Sequence, residues 1–433
     1  MVEATDDRLA AIESQLAALR SHPVCQVLRE ETRTGPCHLV GGALRDTALG
    51  RPLRDLDIVV AGDGSAVADR LAARFGSRSI RVGGHRFAAY RIAGAELPID
   101  LWDRGRVSLE ADLRRRDFTI HSLALDLDTG LVADPFSGLR DLAGGRLRMT
   151  SAESFADDPL RVLRLSRFAA QLTGFRIDAA TLDKARNAVG DLMRVASERI
   201  RNELGLSLAL GSGGIAAQLW LEVEIIPEAL LGTPLDAGRR ADLIANLDRA
   251  WSAFEDMTAD LPTSPDLAAG RLALILDLLA REDCCSISTA LETLRQRGLI
   301  TRTWSQKISR LYQAGDLPTA ESQQRWFLHC AGELWPLALG LAAARAASEG
   351  EEGARASELT DAVGLATQRA EEIFTPPWLL SGEDLVRNFA IEPGARLGRV
   401  LAQLHRRQIE GSITTTSEAL ELATALLAGD KRD

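Results

Sequence analysis

His38–Val60, HLVGGALRDTALGRPLRDLDIVV, is the stretch from which the rest of this chain is read. It reads as an apolar strand, a Gly41-Gly42 turn, a short helix carrying Arg45 and Asp46, and a second strand that opens with Asp55 and Asp57. Residues two apart on a strand share a face, so both carboxylates point one way while Leu56 and Ile58 point the other. Two neighbouring anions repel. A divalent cation between them removes the conflict and places a Lewis acid where a phosphate can meet it. Gly41 and Gly42 let the backbone come close to a triphosphate with its amides free to donate, and Arg45 follows within reach of the same phosphates. A lone Asp-x-Asp reads more simply as a solvated surface turn. The Gly-Gly, Arg-Asp and Asp-Leu-Asp elements in this order and spacing favour nucleotide transfer.

A chain of 433 residues has room for two to four domains. Aromatic residues are few while Ala, Leu and Arg are plentiful, which favours helices. No apolar run is expected to span a bilayer, and the N-terminus MVEATDDRLAAIESQ is acidic and amphipathic, unlike a signal peptide. Five cysteines form neither a metal spacing nor a disulfide framework, so a cytoplasmic location is expected. The formal net charge of −10 argues against a generally basic nucleic-acid binder. Arginines nonetheless cluster locally, at Arg114–Arg116, at Arg161, Arg164 and Arg167, and at Arg199 and Arg201.

Apolar positions between residues 5 and 30 (Leu9, Ile12, Leu16, Leu19) predict a packing helix. Strand-like segments follow as HLV, LDIVV, SIRV, FAAYRIA, ELPIDLW and LALDL, interrupted by a helix around Ala66–Phe75. From about Ser154 the pattern is helical, with a joint at GSGG (211–214) and breaks near 262–265 and 375–377. Leu341–Gly364 reads as a solvated helical pair.

Four further sites carry chemistry. In LRRRDFTIHSLAL (113–125), Arg115, Arg116 and Asp117 can hold phosphates and a ribose hydroxyl, or simply cap a helix. Asp134–Gly138 is a turn whose Pro and Gly look structural. In FADDPLRVLRLSRF (155–168), Asp158 and Arg161 are expected to share a helix face and offer acceptor and donor to a base edge; a surface ion pair is the plainer alternative. In SERIRNEL (197–204), Arg199 and Glu203 more simply brace their helix.

These motifs in this order resemble the class II tRNA nucleotidyltransferase and bacterial poly(A) polymerase family over residues 38–205. The likeness extends more weakly to LLSGEDL (379–385), Pro393-Gly394 and Gly398. The resemblance implies an α+β chain: an N-terminal helix (1–30), then a nucleotidyltransferase head of mixed β-sheet with helices (31–150). An all-helical neck with the base-selecting motif (151–212), body (213–370) and tRNA-binding tail (371–433) would follow. It also implies Asp55 and Asp57 as Mg²⁺ ligands, with Asp100 as a third strand carboxylate. Gly41, Gly42 and Arg45 would form the triphosphate turn, and Arg116 and Asp117, with His121 and Arg164 beside them, would line the nucleotide. Asp158 and Arg161 would select cytosine or adenine. The implied partners are a tRNA acceptor end, CTP and ATP, with no membrane and no protein partner.

Three departures from the family pattern matter. His121 stands where Asn is usual, Asp157 replaces a usual Glu, and only DRGRVS (103–108) links the Asp100 strand to Leu109. Members that complete CCA carry a longer segment at this link, so its shortness favours CC addition. CCA, A-only or poly(A) addition, a non-catalytic RNA-binding relative, and transfer to a small molecule remain as alternatives. No His-Asp doublet occurs, so a fused phosphohydrolase domain is not expected.

Overall fold

The computed structural model describes residues 2–32, 35–82, 89–92, 97–261 and 266–429. The chain divides into two compact units, Met1–Val195 and Ala196–Asp433. The first is built on a seven-stranded sheet. Its strands are β1 (Cys37–Val40), β2 (Leu56–Val60), β3 (Ser79–Val82), β4 (Ala89–Ile92), β5 (Ile99–Asp103), β6 (Ala124–Asp126) and β7 (Val132–Ala133). Their order across the sheet is β3-β4-β5-β2-β1-β6-β7, with β2 and β5 parallel and the other neighbours antiparallel.

All six strand-like segments of the sequence lie in this sheet. Phe87, Ala88, Ala93 and Glu96 of two of them fall outside the described residues, as do Pro262–Pro265. Leu39, Leu56, Ile58, Ile99 and Leu101 are fully buried, and the helix Gly64–Arg74 turns Val67, Ala68, Leu71 and Ala72 inward. On the opposite face Val40, Val59 and Ala124 pack with Leu113 of the helix Leu109–Arg114.

Two expectations for this unit need correction. The N-terminal helix is broken: Val2–Ala18 and Pro23–Glu31 are joined by a 3₁₀ turn at Leu19–Ser21. Pro23 holds His22 extended (φ −62°, ψ 133°), which ends one helix, and His22 caps the next. The region 151–212 is not wholly helical either. Gly174, at φ 90°, turns the chain out of the helix Arg161–Gln171, and Arg176–Ile177 (β9) pairs in parallel with Arg146–Leu147 (β8). Arg176 and Asp178 donate their amides to the carbonyls of Gly145 and Leu147 at 2.8 and 3.0 Å, so the extended backbone is satisfied locally.

Every regular element among the described residues of the second unit is a helix. The helix Trp335–Glu349 packs along Ala237–Ala259, with Phe254 against Gly340, where an added Cβ would lie 2.9 Å from its ring. Leu341–Ala347 is therefore core, not the solvated segment read from its Ala content. Alanine favours helices, and its small side chain also lets two helix backbones approach. Glu321–Glu349 is the described stretch long and apolar enough by composition to cross a membrane, contrary to expectation. Some 72% of its apolar window is buried inside the protein. A separate cluster of Leu380, Leu385, Val400, Leu404, Ile413, Ala419 and Ala423 forms the core of the C-terminal helices.

Candidate active site

Strand register assembles the centre of the site. Val40, Asp57, Asp100 and Arg91 lie in one row across β1, β2, β5 and β4, and Asp55 precedes β2 by one residue. Cross-strand neighbours point the same way, so Asp57 and Asp100 share a face with Asp55. Burial pushes the Asp57 carboxyl up to about 7; nearby Arg116 opposes the shift and Asp55 and Asp100 reinforce it. Asp55 is raised as well, by burial first and then by Asp46. A carboxylate pair that resists ionising side by side is a donor set that a divalent cation would relieve. Asp100 is held by Arg91 through two hydrogen bonds of 2.8 and 2.7 Å. Among the described residues no three His, Cys, Asp or Glu side chains converge into a metal cage. Asp55 and Asp57 fit a cation whose remaining ligands are water and substrate oxygens.

Gly41 closes this corner. Its φ of 74° and ψ of −136° belong to glycine, and a Cβ there would lie 2.8 Å from Asp57 Oδ2 and 3.1 Å from Arg116 Nη1. Gly42 begins the helix Gly42–Ala48 immediately after it. Arg116 Nε is buried without a hydrogen-bond acceptor among the described residues, so a donor stands unused beside the turn. Gly41→Ala is expected to cost about 1–3 kcal/mol of stability through backbone strain. It should reduce nucleotide incorporation by at least about 100-fold through displacement of Asp57. Urea denaturation and an incorporation assay on one preparation check both; near-normal incorporation would exclude the close approach.

Behind the turn runs a buried chain of hydrogen bonds. Asp46 receives two from Arg45 at 2.9 Å each, and Arg45 Nη1 lies 2.8 Å from His121 Nε2. His121 Nδ1 lies 2.8 Å from Asp117 Oδ1, and Arg164 Nε donates to Asp117 Oδ2 at 2.8 Å. Burial pushes His121 down to about 4, so the ring is neutral. Arg45 can only donate; Nε2 therefore accepts, and the ring proton sits on Nδ1 and donates to Asp117. Burial alone would raise Asp117, but Arg164 and His121 outweigh it and hold the carboxyl well below its usual range. His121 is thus turned into the protein, 5% exposed, where it joins Arg45 to Asp117. Arg45 is equally buried and its guanidinium is engaged by Asp46 and His121.

The region around Arg161 corrects a further expectation. Asp158 and Arg161 do not share a helix face: Asp158 is extended (φ −148°, ψ 98°), between the helices Ser154–Asp157 and Arg161–Gln171. Pro159 excludes the α conformation from the residue before it. Asp158 accepts from Leu160 N at 3.3 Å. Arg161 donates to the Ser154 carbonyl and hydroxyl at 3.0 and 2.9 Å and to the Arg115 carbonyl, which ties the helix start to the Arg-Arg-Asp segment. Asp134 accepts from the amides of Gly138 and Leu139, a structural turn.

Sequence reading missed two contributors. Asp112, 2% exposed, pairs with Arg115 and Arg116; its spacing of three and four residues from two arginines was the available signal. Phe168 is the surface on which His121, Arg45, Arg164 and Arg167 pack, with 4.4 Å between the His121 and Phe168 rings. An aromatic at helical spacing carries no sequence signal for that role.

A mixed sheet bearing paired strand carboxylates beside a Gly-Gly turn, with helical regions after it, defines a nucleotidyltransferase. Residues 37–148 match the family described as the poly A polymerase head domain. The chain is 28% identical over 400 residues to the CC-adding tRNA nucleotidyltransferase of Synechocystis sp., covering 90% of this chain and 93% of that one. It is 35% identical over 252 residues to the CC-adding tRNA nucleotidyltransferase of Geobacter sulfurreducens, of which the match spans 58%. The solved Thermotoga maritima CCA-adding enzyme in complex with tRNA shares the fold, with a TM-score of 0.67 at 24% identity over 96% of this chain and 98% of that one. Residues 37–148 thus carry a poly A polymerase head domain, and the chain is similar over most of its length to tRNA nucleotidyltransferases.

Proposed function

We propose that this protein is a template-independent nucleotidyltransferase that adds CMP to the 3′ end of tRNA in the cytoplasm, with CTP as donor and pyrophosphate as product. The observation that carries this reading is the meeting of Gly41, Asp57 and Arg116 within about one side-chain length. Asp55 and Asp57 would hold Mg²⁺, which when bound lowers the pKa of an attacking hydroxyl and offsets charge on the α-phosphate. The Gly41-Gly42 amides and Arg116 would bind the triphosphate and stabilise the departing pyrophosphate. Arg45 would support that turn from beneath, and Asp100 would keep the neighbouring strand in register beside Asp57. Asp117, oriented by His121 and Arg164, would accept from the ribose hydroxyl. Asp158 and Arg161 would read the base edge, and the helical regions would hold the acceptor arm by shape and phosphate contacts. The finer division belongs to the same proposal: N-terminal helices (1–30), head (31–150), neck (151–212), body (213–370) and tail (371–433).

The link 103–108 supports CC addition over completion of CCA. It is a short hydrogen-bonded turn: Gly105 N donates to Asp103 Oδ1 at 2.7 Å, Val107 N to the Arg104 carbonyl at 3.0 Å, and Ser108 caps the following helix. A segment so closely tied has little slack with which to reshape a base pocket between CTP and ATP. Incubation with tRNA lacking its 3′ end and each nucleoside triphosphate separately is expected to yield two CMP additions from CTP. With ATP and tRNA ending in CC, none is expected. Efficient AMP addition to that substrate would reassign the protein as a CCA- or A-adding enzyme, and a long A tract as a poly(A) polymerase.

A further inference from the structure

A column of four rings stands among the C-terminal helices, outside everything used above. Trp378 stacks on His405 (4.2 Å, 20°), His405 meets His329 edge-on (5.4 Å, 74°), and His329 stacks on Trp326 (5.4 Å, 27°). The Arg406 guanidinium lies 5.1 Å from the Trp326 ring centre. Trp378 ends the column with 56% of its surface exposed. Its segment is held firmly. Pro376 and Pro377 restrict the backbone before it, and the Gln408 amide donates to the Pro377 carbonyl at 2.6 Å and accepts from Leu379 N at 3.4 Å. One indole face is therefore backed by His405 and the other is presented to solvent on a fixed loop.

The charge around it points to the ligand. The helix Ala395–Ile409, ARLGRVLAQLHRRQI, contains four arginines and no acid, in a chain of net charge −10. Arg406 and Arg407, both more than half exposed, follow His405 on this helix and share the single carboxylate of Glu410, so the helix that backs Trp378 stays net positive at this end. A rigid exposed aromatic next to cations is the arrangement that stacks a nucleobase and meets its phosphate. An acidic protein surface would use the charge but not the flat ring, and an apolar one would use the ring but not the charge. We propose that Trp378, backed by His405 of this arginine-bearing helix, is a stacking platform for an unpaired base of the RNA substrate. This rests on the tRNA reading above, since the base belongs to the molecule being extended.

Anisotropy of fluorescently labelled tRNA lacking its 3′ end, titrated with the full-length protein, tests it. Trp378→Ala should raise Kd by about 5- to 100-fold, with the slope of log Kd against log salt unchanged because no phosphate contact is lost. Trp378→Phe, which keeps a ring, should stay within about 3-fold of wild type, while Trp378→Leu should behave like Ala. The KM for CTP should not move in any variant. Matching thermal melts of the variants confirm the fold. Wild-type affinity in Trp378→Ala, or equal affinity in the Phe and Leu variants, overturns the platform. Wild-type affinity together with loss of self-association in sedimentation assigns the ring to a second copy of the chain instead. Failure of wild-type protein to incorporate CMP would overturn the transfer reading alone, because the binding comparison does not require catalysis.

Discussion

Asp57→Asn is expected to lower nucleotide incorporation by at least about 10³-fold while raising the melting temperature of the metal-free protein at pH 8. The first effect follows from removing the carboxylate charge that, with Asp55, would hold the cation and align the attacking hydroxyl. The second follows from the same electrostatics with opposite sign. The folded protein raises Asp57 from 3.8 to about 7. The folded state therefore binds this proton more tightly than the unfolded state does. Its contribution is fully present below about pH 4, declines as the pH rises, and is lost above about pH 7. At pH 8 the ionised carboxylate opposes folding by at most about 4 kcal/mol. The amide carries no such charge, so the variant should melt a few degrees higher at pH 8. The difference should shrink as the pH falls toward 4. Incorporation and melting curves across pH 4.5–8.5 test both halves. Retained CMP transfer would remove Asp57 from the metal site, and a lower melting temperature at pH 8 would remove the electrostatic account.

Asp117→Ala is expected to destabilise the first unit by about 3–5 kcal/mol, the cost of breaking a buried ion pair from one side. Asp117 is 6% exposed and accepts from the Phe118 amide, His121 Nδ1 and Arg164. Its loss leaves a buried N–H on His121 and a guanidinium on Arg164 without their acceptor. Because the folded protein holds Asp117 well below 3.8, its contribution is present above about pH 4 and is lost only in more acidic solution. The gap between wild type and variant in urea denaturation should therefore be nearly constant from pH 8 to pH 5. A loss under about 1 kcal/mol, or a gap that closes by pH 5, would show that the chain from Asp46 to Arg164 is not coupled as the distances indicate.

The two regions that sequence reading placed most closely were those whose pattern is local. Gly41 must be glycine because a Cβ there would strike Asp57, and Asp55 and Asp57 alternate with Leu56 and Ile58 by the period of a strand. Where the reading failed, a neighbour not considered decided the outcome. Pro23 broke a helix that its apolar spacing supported, and Pro159 moved Asp158 off the helix that Arg161 begins. Leu341–Ala347 looked solvated because alanine is counted as a helix former, whereas the facing helix Ala237–Ala259 makes it core.

The sequence by itself determined the order of chemistry along the chain: turn, paired carboxylates, Arg-Arg-Asp segment, then arginine-bearing helices. Those signals depend on residues within a few positions of one another, through backbone period and glycine's conformational range. Only the tertiary structure decided who meets whom. It set Asp100 beside Asp57 by parallel pairing of β2 with β5, and buried Arg45 against His121, 76 residues away. It likewise stacked Trp378 on His405. Those contacts arise from strand register and helix packing between distant segments, and a local pattern carries no record of either.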